Sequence, residues 1–124
     1  MKYFAHLLAS LFLISSLSGC IIVGERYDDD GHHSSWEERQ RENRQIISQL
    51  PMQSSRKSVL DQLGAPEFSE AYTKGNDEYR ILYYRTQRKH DDGDTTIDET
   101  TPLVFKNDQL LGWGEQILKS VSNL

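Results

Sequence analysis

The sequence of 124 residues contains one cysteine, Cys20, so no disulfide within the chain can stabilise its fold. Its 14 lysine and arginine residues are outnumbered by 19 aspartate and glutamate residues, and the formal net charge is −5. Because no basic segment is clustered, we expect no nucleic-acid partner and no electrostatic attachment to anionic lipid. No apolar run reaches the ~20 residues of a membrane-spanning helix. The chain must therefore close around a small apolar core of its own.

The N-terminus has the pattern of a secretion signal. Lys2 supplies a positive charge, a short apolar run follows, and the segment ends in small residues. The four residues Leu17-Ser18-Gly19-Cys20 resemble the lipobox of bacterial lipoproteins. That resemblance implies cleavage before Cys20 and lipidation of its thiol, and two or more acyl chains hold a protein firmly on a bilayer. We therefore expect residues 1–19 to be a signal peptide and Cys20 to carry the lipid.

The residue after Cys20 is Ile21, whereas aspartate at that position commonly marks lipoproteins kept in the inner membrane. The resemblance thus favours the periplasmic face of the outer membrane over the inner membrane. Residues 20–35, rich in glycine, aspartate, histidine and serine, are predicted to be a flexible tether, and residues 36–124 the folded domain. We expect no metal and no cofactor, because the tether offers its aspartates and histidines no fixed geometry.

Two helices are predicted at the start of the domain. Ser35 and Glu38 fit a capping box, which places the first helix from about residue 36 to about residue 49. Ser54 or Ser55 would cap a second helix, which Gly64 ends.

From residue 67 the apolar residues alternate as in β-strands, over residues 68–73, 78–88, 103–105 and 109–113, with turns at 74–77 and 107–108. The tail, with Ile117, Leu118 and Val121, could add a short final helix. The predicted fold is α+β, with the two N-terminal helices packed on a three- to four-stranded antiparallel meander in two layers.

The order of these elements resembles that of small lipoproteins of the BamE (small protein A) type. The resemblance covers about residues 43–114 and rests on Leu63-Gly64, Pro66, Tyr83-Tyr84 and Leu103-Val104-Phe105. Residues 101–105 and 112–114 more closely resemble an uncharacterised domain-of-unknown-function family of Gram-negative lipoproteins related to that fold. The glycine usual between the two helices is replaced by Gln53. BamE-type proteins are accessory parts of outer-membrane protein assembly, which implies a similar setting here.

The longest predicted strand carries apolar residues on both faces. If Tyr79, Ile81 and Tyr83 face the helices, then Leu82 and Tyr84 lie on an open face, rimmed by Arg80, Arg85 and Arg88. Such a stripe is typical of a protein-binding surface. We therefore interpret the chain as a non-catalytic interaction or envelope-assembly module, with Leu82, Tyr84 and Trp113 as the candidate contacts to an outer-membrane or envelope protein.

An alternative is a small ligand- or calcium-binding lipoprotein that uses the acidic loop of residues 91–99, because carboxylate oxygens suit calcium. The spacing of the carboxylates in this loop does not match an EF-hand. We do not expect an enzyme. The four histidines, His6, His32, His33 and His90, are not accompanied by a recognisable nucleophile, and lipidation would occupy the only thiol.

Overall fold

The computed structural model of the protein describes residues 31–123. The predicted signal peptide, Cys20 and the tether up to residue 30 lie outside the described residues. In chain order the elements are α1 (Gly31–Ser48), α2 (Arg56–Leu63), β1 (Phe68–Lys74), β2 (Asp77–Arg85), a 3-10 turn (Ile97–Glu99), β3 (Thr100–Lys106), β4 (Gln109–Trp113) and α3 (Glu115–Ser122). None of the helices described is long and apolar enough to cross a bilayer.

The four strands form one antiparallel sheet in the order β1-β2-β3-β4, which confirms the predicted meander. Tight turns connect the outer pairs of strands. Lys74 pairs with Asp77 around a two-residue turn in which Gly75 has a φ of 62°. Asn107 and Asp108 have φ values of 50° and 64°, as a two-residue hairpin turn of the right twist requires. Both turns lie where the sequence predicted them.

Helices cover both faces of this sheet, so the predicted two-layer arrangement was wrong. On one face, Leu82, Tyr84, Leu103 and Phe105 pack in a core with residues of α1 and α2. On the other face, a second core of Tyr79, Ile81, Tyr83 and Val104 packs against α3 through Val121, which is 3% exposed. One helix therefore follows the sheet, and the helices are not all N-terminal. The physical reason is that both faces of β2 are apolar, and α3 removes the second face from water.

The first helix begins at Gly31, four residues before the predicted cap at Ser35. As expected, it docks by its C-terminal end, where Ile47 enters the core together with Leu50, which follows the helix. The second helix is capped as predicted. The Ser55 side chain accepts a hydrogen bond from the Ser58 amide at 3.1 Å, and Gly64 ends the helix with a φ of 73°.

Candidate functional site at the open edge of the sheet

The structure places Leu82 and Tyr84 in the core under α1 and α2, where they are 5% and 2% exposed. The prediction that they lie on an open face was wrong, because α1 and α2 pack on the opposite face of β2 from the one we assigned to them. The Tyr84 hydroxyl donates a hydrogen bond to the Gly64 carbonyl at 2.9 Å, and burial raises the pKa of Tyr84 to about 12. Trp113 is half-buried against the same core. Partner binding by Trp113 stays a prediction.

The acidic loop between β2 and β3 is organised around Glu99, whose side chain is fully buried. Its carboxylate accepts hydrogen bonds from the backbone N–H groups of His90 (2.9 Å), Lys89 (2.8 Å) and Thr96 (3.3 Å). These bonds, helped by the nearby charge of Arg85, lower the pKa of Glu99 to about 2. Glu99 therefore acts as the internal anchor of the loop.

The other acidic side chains of this loop do not converge on one point. Asp98 lies 3.3 Å from His90 and 3.7 Å from Lys89, while Asp91 pairs with Arg88. Among residues 31–123, no group of three or more histidine, cysteine, aspartate or glutamate side chains is arranged to hold a metal ion. The calcium alternative for residues 91–99 therefore finds no supporting geometry in this part of the chain.

Arg85, predicted to rim an open stripe, is instead buried and 4% exposed along its side chain. One terminal nitrogen donates to Thr95 Oγ1 at 2.8 Å, and the other lies 3.6 Å from Glu99. Its guanidinium carbon lies 4.3 Å from the ring centroid of Trp36, which is a cation–π contact. Arg85 thus ties the start of α1 to the acidic loop.

Within residues 31–123, the outer edge of β1 has no neighbouring strand. The backbone N–H of Asn107 donates a hydrogen bond to the Glu78 carbonyl, so the backbone groups of Glu78 face β3. Because backbone direction alternates along a strand, the even-numbered residues of β2 bond to β3 and the odd-numbered residues bond to β1. By the same alternation Ser69, Ala71 and Thr73 point their backbone groups away from the sheet. No backbone hydrogen bond from these three residues to any other described residue is found. Their side chains are small and exposed, so none of these three blocks the approach of another strand.

The first part of the outer edge of β4 is bonded to the segment that connects α1 to α2. The backbone N–H of Gln53 donates a hydrogen bond to the Leu110 carbonyl at 2.9 Å, and the backbone N–H of Leu110 donates to the Ser54 carbonyl at 2.9 Å. A third bond, 2.8 Å long, joins the Arg56 amide to the Asp108 carbonyl. The connecting segment therefore acts as a short fifth strand that uses the backbone groups of this edge.

The open edge of β1 was not predicted from the sequence, because no local pattern indicates which strand of a sheet is outermost. Two signals were available for the arrangement around it. The apolar stripe of Ile117, Leu118 and Val121 showed that a helix could cover the second face. The exposed polar pattern of β1, with Ser69, Glu70 and Thr73, is typical of an edge strand.

Comparison with known proteins gives a family and no established activity. Neither the curated proteins nor the solved structures contain a significant match to the chain. A family model matches residues 18–120, which is most of the chain. The chain therefore belongs to the family described as Protein of unknown function (DUF3192).

Proposed function

We propose that the protein is a lipid-anchored, non-catalytic interaction module that binds an extended segment of an envelope protein along the open edge of β1. The observation that carries this proposal is the contrast between the two edges of one sheet. The edge of β4 is bonded to another part of the chain at its start, at Asp108 and Leu110, whereas β1 keeps an uninterrupted register of seven residues with β2, and the outward groups of Ser69, Ala71 and Thr73 bond to no other described residue. An extended peptide can satisfy such groups by adding a strand.

The surroundings of β1 leave room for the side chains of an added strand. A groove of about 310 Å³ lies between α2 and β1, lined by Leu60, Ser69 and Ala71 and floored in part by Leu82. Arg56 and Arg80 stand at its margin. Alternate side chains of a partner strand would enter this groove, which provides a means of selecting among sequences. The strand has no proline and no bulge, which are two of the several features that protect an edge, while Glu70 and Lys74 are its charged residues.

The anchoring part of the proposal rests on Cys20. We propose that its thiol carries the lipid and that the domain lies at the periplasmic face of the outer membrane. The resemblance of residues 17–20 to a lipobox supports this, and the match to the family model begins at residue 18 and so includes Cys20. The resemblance to BamE-type lipoproteins supports a partner from outer-membrane protein assembly.

Anchoring can be tested apart from partner binding. Labelled palmitate should be incorporated into the wild-type protein, and the protein should sediment with outer-membrane vesicles. Cys20→Ala should lose both properties, while Cys20→Ala with an engineered cleavable signal should still yield a folded domain. Incorporation of palmitate that is unchanged in Cys20→Ala would contradict the assignment.

Strand addition is tested by photo-crosslinking in whole envelopes. A photo-reactive residue at position 73, on the open edge, should capture one defined protein. The same residue at position 57, on α2, where the Lys57 side chain is 85% exposed, should not. Ala71→Pro removes an outward N–H and should abolish capture, whereas Ala71→Thr keeps that N–H and should preserve it. Equal capture in Ala71→Pro, with the fold intact by circular dichroism, would reject the edge as the binding site.

A further inference from the structure

The open edge strand β1 carries two charges of opposite sign. Glu70 and Lys74 lie four residues apart on the same face of the strand, and both side chains are exposed. At the same end of the sheet as Lys74, the charges of Asp77 and Lys106 are paired within the chain. Glu70 and Lys74, by contrast, form no ion pair with another residue in the described part of the chain. The hydroxyl of Tyr83 near Glu70 is neutral, so both charges on β1 remain uncompensated.

The spacing of these two charges makes the strand complementary to itself. A charge on an edge strand normally opposes pairing with a second copy, because like charges meet. An antiparallel copy, however, reverses the order of the residues. If the two-fold axis passes through Tyr72, Glu70 of each copy lies opposite Lys74 of the other, and two pairs of opposite charges form.

The same axis matches the backbone groups of the two strands. Ala71 and Thr73 direct theirs outward, whereas those of Tyr72 point to β2. With the axis at Tyr72, Ala71 of each copy faces Thr73 of the other, and each such pair can exchange two N–H···O hydrogen bonds. Glu70 and Lys74 then form a non-hydrogen-bonded pair, the type in which opposite side chains approach most closely.

Neighbouring registers lack this complementarity of charge. An axis at Ala71 pairs the whole strand but sets Glu70 opposite Tyr72, and an axis at Thr73 sets Lys74 opposite Tyr72. An axis at Glu70 or at Lys74 places like charges against each other. Among these registers, only the axis at Tyr72 places each charge directly opposite one of the other sign.

Tyr72, at the centre of this pairing, is held in place within each copy. Its ring stacks on Tyr79 with the ring centroids 5.3 Å apart, and its hydroxyl donates to the Val121 carbonyl at 3.4 Å. One face of the ring is thus covered from the side of β2, and the other is directed toward the open edge. On the two-fold axis the two Tyr72 rings meet, and aromatic pairs across strands stabilise a sheet. Little side-chain entropy is lost because the ring is already ordered.

The helices leave space for a second copy beside β1. The first helix packs on β2, and α3 packs on β3 and β4. A groove of about 310 Å³ lies between α2 and β1. The next strand position lies ~4.8 Å beyond β1, on the side away from all three helices.

We propose that two copies of the chain pair through their β1 strands, antiparallel about Tyr72, and join their sheets into one. A single short strand pair makes a small interface, so the dimer is weak. Anchoring on one membrane would favour it by raising the local concentration. A copy bound at this edge excludes a partner strand, so the inference adds regulation to the site, and that part rests on the proposed function.

Sedimentation equilibrium of the full chain in detergent tests the pairing. The wild type should show a monomer–dimer equilibrium, and Glu70→Lys and Lys74→Glu should each raise its dissociation constant about tenfold. The double exchange, Glu70→Lys with Lys74→Glu, should restore the wild-type value. Glu115→Lys makes the same change of charge at an 81% exposed side chain on α3 and should have no effect. A monomeric wild type, or a double exchange as weak as the single variants, would overturn the proposal.

Disulfide trapping in envelopes tests the position of the axis. Residues opposite each other in a non-hydrogen-bonded pair have Cα atoms ~4.5 Å apart, within reach of a disulfide. Tyr72→Cys should therefore give a linked dimer on mild oxidation. Ala71→Cys should not, because its two copies lie diagonally across the axis, beyond that reach. The wild type, with Cys20 alone, is the control. Trapping at position 71 rather than 72 would overturn the charge-paired register.

The photo-reactive residue at position 73 separates this dimer from the proposed function. Glu70→Lys should remove the product that contains two copies of the chain and leave capture of an envelope protein intact. Two linked copies as the only product, lost in Glu70→Lys, would support the dimer and reject the proposed function. Capture of an envelope protein, with a wild type that sediments as a monomer, would support the proposed function and reject the dimer.

Discussion

The two outer strands of the sheet use their backbone groups in opposite ways. At the start of β4, the segment between α1 and α2 bonds to Leu110 and Asp108 and covers that part of the edge. At β1, Ser69, Ala71 and Thr73 keep their outward groups free of any partner among the described residues. The difference comes from the connection between α1 and α2, in which the left-handed residue Gln53 bonds to Leu110 of β4. The path of one connecting segment thus decides which outer strand keeps its backbone groups unpaired among the described residues.

The largest expected effect comes from opening the closed edge. Gln53→Pro removes the backbone N–H that donates to the Leu110 carbonyl, and proline cannot adopt the φ of 65° found at this position. We expect a loss of about 3 kcal/mol or more in the free energy of unfolding, measured by urea denaturation. A midpoint equal to that of the wild type would show that the connecting segment does not hold β4.

A pair of neighbouring substitutions tests the alternation along the open strand. Glu70 pairs with Ile81, and its backbone N–H points toward β2. Glu70→Pro should therefore lower the free energy of unfolding by about 2 kcal/mol. Ala71 directs its amide outward, so Ala71→Pro should cost about 1 kcal/mol or less. Thermal unfolding of the two variants, beside Glu70→Ala and Ala71→Ser, gives the comparison. Equal losses would mean that the assignment of inward and outward groups is wrong.

Acid should weaken the loop next to the open edge. The folded pKa of Glu99, about 2, lies below its ordinary value of 4.5, so the ionised carboxylate stabilises the fold above pH 4.5. That contribution is lost as the pH falls from 4.5 toward 2. Glu99→Gln should flatten the stability profile within this interval, as measured by denaturation at a series of pH values. Asp92→Asn, in the exposed part of the loop, is the control and should leave the profile as in the wild type.

The smallest expected effect is a gain in stability from relief of backbone strain. Gln53 adopts a left-handed conformation that disfavours side chains, and glycine relieves it at some cost in chain entropy. Gln53→Gly should therefore stabilise the protein by about 0.5 kcal/mol, seen as a small rise in melting temperature. Gln49→Gly, in the turn that ends α1, has no such strain to relieve and should not stabilise. A loss of stability in Gln53→Gly would show that the turn is not strained.

Much of the local structure could be predicted from the sequence. Ser55 and Gly64 marked the ends of α2, the alternating residues marked four strands, and Asn107-Asp108 marked a turn. Each of these signals depends on residues a few positions apart, so one sequence is enough to detect it. The capping box at Ser35 was misleading, because α1 continues upstream to Gly31.

The candidate site was not predictable in the same way. Leu82 and Tyr84 were correctly recognised as sharing one face of a strand, but periodicity cannot say which helices cover that face. Arg85 and Glu99 lie in a charged part of the sequence that is typical of a solvent-exposed loop, yet both side chains are buried. Their pairing requires the loop to return to the end of β2.

Local sequence patterns predicted an antiparallel meander of three to four strands, the caps and turns, and the apolar character of both faces of β2, because these are properties of neighbouring residues. Tertiary packing instead places α3 over the second face, brings the connection at Gln53 to β4 rather than β1, and sets Arg85 beside Glu99. These features depend on contacts between distant parts of the chain, and packing against the whole sheet selects them.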